Sequence, residues 1–250
     1  MIYFPLGLIA TALGTVLLPT FSNQAAQADR AAITTTLTTT LRHMLYIMIP
    51  AAVGLLWLSA PILTTLFNWQ GAFDANSTCL AARALACYAP GLIIFSAAKL
   101  IVPAFYALQD TRTPVRIGIR VVGLNLLFNL LAVWLLPTYW KHAGMAAATV
   151  LAEGIGMLLL IRTLNKRLPP LPSRSLITDA AQHLGRALIM GALTGLFFSF
   201  LFQLLPFAEK INQLIALTSA IAFGITTYLL LSRSRPEQQE IIQALRRKSK

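Results

Sequence analysis

Long apolar segments with almost no charge inside them constrain this chain more than any other feature. Roughly 20 helical residues cross about 30 Å of hydrocarbon. Seven segments of about this length occur in the 250-residue sequence: 3–21, 43–67, 80–107, 114–137, 143–164, 182–206 and 210–232. Because backbone polar groups need partners in lipid, long unbroken segments of this kind form helices rather than strands. The sequence therefore predicts an all-α, polytopic transmembrane helix bundle with seven spans.

Composition supports a membrane protein and argues against several other classes. The chain is 57% hydrophobic and 11% charged, whereas soluble domains carry about 25% charged residues. A net charge of +12 would suggest nucleic acid in a soluble protein, but here the basic residues lie between apolar segments, so no nucleic-acid partner is expected. Cys79 and Cys87 form no metal-ligand pattern and the three histidines are far apart. We predict no metal site.

The distribution of Lys and Arg predicts the orientation. With seven spans, alternate connections fall on the same side of the membrane, and all but four of the 20 basic residues fall on one side or at its edge. The exceptions are Arg83, Lys141 and Lys210 on the other side and Lys99 within the third segment. Since basic residues accumulate in cytoplasmic loops, we expect the N-terminus outside and the C-terminus in the cytoplasm.

The pattern divides the chain into four parts. Residues 1–164 hold the first five spans. Residues 165–181 form a Pro-rich, basic cytoplasmic linker, and residues 182–232 form a two-helix hairpin without charge over most of its length. The tail, 233–250, is predicted to be a short amphipathic helix with a basic end that lies on anionic headgroups.

Three stretches resemble the MurJ/MviN family of lipid II flippases, within the multidrug/oligosaccharidyl-lipid/polysaccharide exporter superfamily. They are "GTVLLPTFS" (14–22), "AFYALQDTRTPVRIGI" (104–119) and "KHAGMAAAT" (141–149). The turn Asp110-Thr111-Arg112-Thr113-Pro114 is the most specific of the matching features. Asp110 or Thr111 is suited to cap the helix that follows, because short polar side chains accept hydrogen bonds from the first free N–H groups.

The resemblance implies more than the residues alone do. Family members have fourteen helices, and the seven here resemble helices 8–14, so a separate N-terminal half is implied as a partner and we expect the chain alone not to flip lipid. The implied substrate is lipid II, a polyprenyl-pyrophosphate glycolipid, moved by alternating access across the bacterial inner membrane. The last two helices are implied to form a groove for its tail. Another exporter of the superfamily and an inactive half remain alternatives.

Two charged residues lie inside apolar segments. Lys99 and Glu153 are costly to place in lipid, by at least about 2.5 kcal/mol each on insertion scales. One interpretation is that both line a hydrophilic cavity, where Lys99 would attract the pyrophosphate of the substrate. The alternative is that Lys99 extends to the membrane interface and Glu153 is protonated or paired locally.

Three arginines, Arg112, Arg116 and Arg120, recur every four residues and therefore lie along one stripe of a helix. Guanidinium groups bind phosphate bidentately, which suits a phosphate-rich headgroup. Anchoring against anionic lipid is the simpler alternative. For Arg112, which belongs to the family turn, fixing the loop is a further alternative.

Asn125 and Asn129 are also four residues apart, at membrane depth. Some family members are thought to hold a sodium ion between three helices, and the resemblance implies that these two residues and Thr149 would contribute. Two amides and a hydroxyl are weak ligands for a bare cation, so hydrogen bonding between helices is the alternative. Sodium or the membrane potential is the implied driving force.

Prolines within the spans suggest places where helices bend. Pro50, Pro90 and Pro103 each remove a backbone hydrogen bond and are hinge candidates. The sequence holds no Gly-rich phosphate loop, Ser-His-Asp set or pair of carboxylates typical of an active site. We therefore predict a transporter rather than an enzyme, with no organic cofactor.

Overall fold

A computed structural model of the chain describes residues 7, 12–67, 75–206, 209–240 and 243. These residues form nine α-helices and one short 3-10 helix, Thr138–Trp140. The α-helices are α1 (Ala12–Ala26), α2 (Arg30–Trp57), α3 (Ser59–Phe67), α4 (Ala75–Tyr88), α5 (Gly91–Ala107), α6 (Arg112–Leu135), α7 (Lys141–Leu164), α8 (Ser173–Leu204) and α9 (Glu209–Leu231). The described part of the chain contains no strand, which confirms the all-α prediction.

The helices agree with most of the predicted spans. Five helices are long and apolar enough to cross a membrane, and α4 with α5 makes a sixth if that bent pair is one span. The two helices of the pair meet at an angle of 42°. The first predicted span, 3–21, lies partly outside the described residues, and its later part belongs to α1.

The second span begins earlier than predicted, at Arg30 rather than at residue 43. The Asp29 carboxylate accepts a hydrogen bond from the Ala32 N–H, at 2.8 Å, and so caps the helix. Threonines make the next turns polar, but each of four hydroxyls donates to the carbonyl four residues earlier: Thr34, Thr35, Thr38 and Thr40. The predicted span leaves out residues 30–42 because many of their side chains are polar. The helix satisfies the threonine hydroxyls with its own carbonyl groups.

One large apolar core joins the first part of the chain. Buried side chains of α1, α2, α5, α6 and α7 contribute to it, including Phe21, Leu37 and Phe105. Among the long helices, α2 is the most buried and α6 the least. In an 18-residue apolar stretch of each helix, 39% is buried in α2 and 11% in α6. The apolar outer face of α6 is therefore free to contact lipid.

The predicted linker is packed rather than solvated. Leu168 and Leu171 are buried in the large core. The Thr34 hydroxyl donates to the Pro169 carbonyl at 3.2 Å, and the Asn165 side-chain oxygen accepts from the Leu171 N–H at 3.1 Å. Helix α8 already begins at Ser173, inside the range predicted as linker.

The hairpin of α8 and α9 packs against α2 through a smaller apolar cluster of Tyr46, Ile49, Val53, Ala187, Met190 and Tyr228. Close approach depends on two glycines of α8. A Cβ atom at Gly191 would lie 2.7 Å from Val53 Cγ1, and one at Gly195 would lie 2.7 Å from Trp57 Cδ1. A larger side chain at either position would force Val53, Trp57 or the helices themselves to shift.

The tail is described only in part. Residues 236–240 form a short helical turn after α9, and apart from residue 243 the rest of the predicted amphipathic helix lies outside the described residues. We call the end of the bundle that carries the α5–α6 turn, the α7–α8 loop and residues 232–240 the basic end.

Candidate functional site

An apolar groove of about 490 Å³ separates part of α2 from α9. α2, α3, α8 and α9 line it, with Tyr46, Pro50, Gly54, Thr194, Gly224 and Tyr228 among the lining residues. A Cβ atom at Gly54 would meet nothing within 4 Å, so the missing side chain there leaves open space. Because its walls are almost wholly apolar, the groove is suited to a hydrocarbon chain rather than to a charged group.

A buried polar cluster closes the groove toward the basic end. The Tyr46 hydroxyl lies 3.0 Å from Ser232 Oγ, and the Tyr228 hydroxyl lies 3.2 Å from Nδ1 of His183. The Tyr46 ring packs edge-on against the His183 ring, with centroids 5.5 Å apart. His183 is only 1% exposed. The cluster thus ties α2, α8 and α9 together where apolar lining gives way to hydrogen-bonding groups.

The Asp110 turn, also at the basic end, is fixed by three groups. Asp110 Oδ1 accepts from the Thr113 N–H at 3.0 Å, and Oδ2 lies 2.7 Å from the Arg167 guanidinium. The hydroxyl and N–H of Thr113, together with Arg167, lower the pKa of the Asp110 carboxyl. Gln109 has a positive φ of 58°, which lets the chain reverse between α5 and α6. Of the two predicted caps, Asp110 makes the bond and Thr111 makes none.

The predicted arginine stripe lies on the surface of α6. Arg112, Arg116 and Arg120 are all exposed, while the buried positions of this helix are Ile117 and Val121. The three guanidinium groups therefore extend away from the large core. Such a placement is compatible with either predicted role, headgroup binding or anchoring against anionic lipid.

The two charged residues of the spans occupy different environments. Lys99 lies in the middle of α5 and is exposed. Its backbone is close to α1, since a Cβ atom at Gly14 would lie 3.4 Å from the Lys99 carbonyl oxygen. Glu153 lies in α7 and is half-buried. Their predicted roles in a cavity stay predictions.

The structure pairs the two amides predicted to bind an ion, but within one helix. Asn129 Nδ2 donates to Asn125 Oδ1 at 2.6 Å along α6, and Thr149 Oγ1 donates to the Met145 carbonyl at 3.0 Å within α7. Both bonds therefore lie within a single helix. Among the described residues, no group of three or more His, Cys, Asp or Glu side chains is arranged to hold a metal ion.

The hinge candidates differ in position. Pro90 stands between α4 and α5, at the 42° bend, where it has no N–H to continue the first helix. Pro50 and Pro103 lie inside α2 and α5. Pro50 also lines the groove, so a change of bend there would alter the groove wall.

Comparison with known proteins identifies the family to which this chain belongs. The family profile described as lipid II flippase MurJ matches residues 1–236. The chain belongs to the MurJ family. A relative from Burkholderia cenocepacia, named lipid II flippase MurJ, is 36% identical over 190 residues, which cover 76% of this chain and 36% of the relative. A probable lipid II flippase MurJ from Vibrio cholerae is 30% identical over 237 residues, covering 92% of this chain and 43% of the relative.

A solved structure of this family has the same fold. Lipid II flippase MurJ in an inward closed conformation matches with a TM-score of 0.71 at 27% identity, covering 92% of this chain and 44% of that one. The chain therefore spans less than half the length of the MurJ relatives it matches.

Sequence reasoning missed two side chains that the fold places at the site. Arg167 appeared only as one basic residue of a linker, yet it pairs with Asp110, and its carbonyl accepts from Arg30 at 3.4 Å. His183 appeared as an isolated histidine, yet it is the centre of the polar cluster. A signal was available for His183, because an ionisable side chain within an apolar span requires a partner.

Proposed function

We propose that this chain forms one part of a lipid II flippase, and that the groove between α2 and α9 receives the polyprenyl tail of the lipid. The observation that carries the proposal is the combination of family membership over residues 1–236 with an apolar groove of about 490 Å³ in the hairpin region. Burying hydrocarbon there is favourable by about 0.8 kcal/mol per CH₂ group. The work of the chain is transport rather than catalysis.

The physical task is to move a charged, sugar-bearing headgroup through hydrocarbon. A polar, cationic passage between two helix bundles would solvate the headgroup, and one bundle would move against the other to expose it first to one side and then to the other. The described residues supply one bundle. Since the chain spans less than half of its relatives' length, we propose that a second, N-terminal half supplies the other bundle.

Within this passage we assign roles by charge and place. Lys99, exposed on α5 where α1 approaches, would attract the pyrophosphate, and Glu153 of α7 would face the same polar space. Arg112, Arg116 and Arg120 would gather the phosphate groups at the basic end before transfer. Substituting Lys99 by Met should therefore impair transport more than substituting Arg120 by Met, which leaves two arginines in the stripe.

The driving force is proposed to be a sodium ion or the membrane potential. Asn125, Asn129 and Thr149 keep oxygen atoms with free lone pairs despite the bonds they make, but this set alone binds a cation weakly. A negative potential inside the cell would drive an anionic headgroup outward. Transport that ceases when the potential is collapsed in sodium-free buffer would favour the potential over the ion.

We further propose that the chain lies in the bacterial inner membrane with the basic end in the cytoplasm. The distribution of Lys and Arg supports this orientation. A cysteine placed at Gln109 should react with an impermeant thiol reagent in inverted vesicles and remain protected in intact cells. Labelling from outside the cell would overturn the orientation and the transport direction built on it.

Depleting the chain in its own host tests the substrate. If lipid II is transported, cells should lyse and accumulate lipid II. If cells instead lose only a capsule or resistance to a drug, another exporter of the superfamily is present. Residues 1–250 expressed alone should fail to rescue cells that lack every other lipid II flippase sequence, and rescue would contradict the requirement for a second half.

A groove-filling variant tests the tail site. Gly54→Phe should block the groove and reduce rescue by the complete transporter, because the Gly54 Cβ position opens into it. Gly118→Phe is the matched control, since a Cβ atom there also meets nothing within 4 Å but lies on α6, away from the groove. Equal rescue by both variants would rule out the groove as the site of the tail.

A further inference from the structure

The segment after the last long helix turns back against the bundle. Residues 236–240 follow α9, and Glu240 Oε2 lies 3.0 Å from Nε2 of His43 on α2. Three residues earlier, Glu237 Oε1 lies 4.0 Å from Nε2 of His183 on α8. Because residues three apart share a face of a helical turn, one face of this segment presents two carboxylates to histidines on two different helices.

The part of the segment that faces His183 is buried. Glu237 is 6% exposed and Gln238 is 9% exposed, although both belong to a short segment at the end of the bundle. Carboxylates are almost never buried to this degree unless they are paired. The other ionisable groups near His183 are Arg186 and Asp179 on α8 and Arg235, which directly precedes the segment.

A neighbouring set of bonds already joins α2 to α8. Arg42 lies 3.1 Å from the Asp179 carboxylate and donates to Ser175 Oγ at 2.6 Å. Residues 175, 179 and 183 recur every four positions, so they form one stripe of α8 that faces the 42–46 turn of α2. Residues 236–240 extend this polar contact to a third part of the chain.

The segment is also connected to the groove. Ser232, at the end of α9, bonds to the Tyr46 hydroxyl at 3.0 Å, and His183 bonds to the Tyr228 hydroxyl at 3.2 Å. The rings of Tyr46 and Tyr228 belong to the groove wall. Residues 236–240 therefore adjoin both bonds, because they follow Ser232 in the chain and Glu237 faces His183.

We propose that residues 236–240 form a strap that holds the groove closed at the basic end, and that release of the strap from His43 and His183 lets α9 move away from α2. The strap is a conformational device of the fold, and it acts whatever molecule the groove receives. Its tests can therefore fail while lipid transport stands, and they can succeed while lipid transport fails.

A charge exchange at the exposed pair tests the strap directly. The full chain in lipid, with Cys79 and Cys87 replaced by Ser, would carry a spin label on Gln239→Cys, an exposed position of the strap. The label should be restricted in the parent protein and mobile in Glu240→Lys, which replaces the carboxylate acceptor with a cation. Adding His43→Glu to Glu240→Lys places a carboxylate opposite the ammonium group and should restore the restriction.

Groove opening is measured with a second reporter. Gly54→Cys is introduced in a chain without the spin label and places a thiol in the groove. Its labelling rate by an apolar maleimide should rise about two- to fivefold with Glu240→Lys, the range expected for losing one exposed polar contact to a carboxylate. Tyr46→Phe, which keeps the ring but loses the bond to Ser232, should also raise this rate. Arg174→Gln, a charge removal at an exposed site of α8, is the matched control and should leave it unchanged.

Three results would overturn the proposal. A spin label that is equally mobile in the parent and in Glu240→Lys would mean that residues 236–240 are not held. A mobile label in the double variant, His43→Glu with Glu240→Lys, would mean that the contact between positions 43 and 240 does not hold the strap in place. A released strap with an unchanged rate at Gly54→Cys would mean that the strap does not control the groove.

Discussion

Helices α1 to α7 and the hairpin bury their apolar surface in different ways. Buried side chains from all seven of these helices share one core. The described residues of the hairpin, α8 and α9, pack on α2 through a smaller cluster of six buried side chains. The first part therefore behaves as a framework, whereas the hairpin is attached along one seam and can leave a groove beside it.

The seam combines two kinds of contact. Near its middle, Gly191 and Gly195 let α8 approach Val53 and Trp57 closely. At the basic end, the His183 cluster supplies hydrogen bonds. Dispersion contacts in lipid fix the distance between the helices, while the polar groups fix their registration. The predictions below test whether this division between framework and hairpin holds, from the largest effect to the smallest.

Gly191→Val should have the largest effect, because its Cβ atom would crowd two side chains, Val53 Cγ1 at 2.7 Å and the rigid Trp57 ring at 3.2 Å, whereas Gly156 meets one small side chain. We expect a loss of about 3 kcal/mol in the free energy of unfolding, measured by Trp fluorescence in detergent. The hairpin should become sensitive to protease while α2 stays protected. Gly185→Val on the same helix, where a Cβ atom meets nothing within 4 Å, is the control. Simultaneous cleavage of both parts would contradict a separable hairpin.

Gly156→Val tests the framework. Its Cβ atom would lie 2.4 Å from Val121 Cγ2, at the contact between α6 and α7. A cost of about 2 kcal/mol is expected, with both parts losing protection together. Val121→Ala in the same chain should recover much of the loss by making room, and Gly123→Val, with nothing near its Cβ position, should cost little. Loss of protection in the hairpin alone would reverse our assignment of the framework.

Asp110→Asn should have a smaller effect. An amide still accepts the Thr113 N–H bond that caps α6, but it gives up the charge that faces Arg167. We expect about 1 kcal/mol in unfolding free energy, typical of a hydrogen bond to a charged group that is partly solvated. Asp110→Ala, which loses both contacts, should cost more. If the Asn and Ala variants are equally stable, the capping bond contributes nothing.

The pH dependence of this turn gives the smallest effect. The pKa of Asp110 is lowered in the folded chain, first by the Thr113 hydroxyl and then by the Thr113 N–H and Arg167. A lowered pKa adds stability above the unfolded value, about 3.9 for Asp, and this stability disappears as pH falls through the folded value. The stability difference between the parent and Asp110→Asn should therefore shrink from pH 6 to pH 3. A constant difference would exclude ionisation as the source.

The sequence predicts the spans well because hydrocarbon imposes one rule on every backbone group. It predicts the Asp110 cap for a similar reason, since capping depends on residues next to each other. It misses the start of α2, because the threonines there lower the hydropathy and the stretch is not recognised as part of a span. It also treats residues 165–181 as a linker, although Leu168 and Leu171 join the core.

The missed contacts share a physical cause. Arg167 and Asp110 are far apart in sequence, as are Tyr46 and Ser232, so their meeting depends on how whole helices pack. The residue type of His183, within an apolar span, indicates that it needs a partner, but it does not identify that partner. Asn125 and Asn129 are a contrasting case, because they are close in sequence. Their four-residue spacing is about one turn of a helix, which allows the bond between them without any packing of helices.

The threonine-rich start of α2 has a consequence for how the protein sits in its membrane. Its four hydroxyls bond to carbonyls of the same helix, so this stretch brings its own solvation and has no strict requirement for water or for acyl chains. Such a stretch can lie in water or in hydrocarbon, so a change in bilayer thickness that moves the membrane boundary along it carries only a modest cost. The start of α2 would therefore tolerate membranes of different thickness while its contacts with the rest of the bundle stay in place.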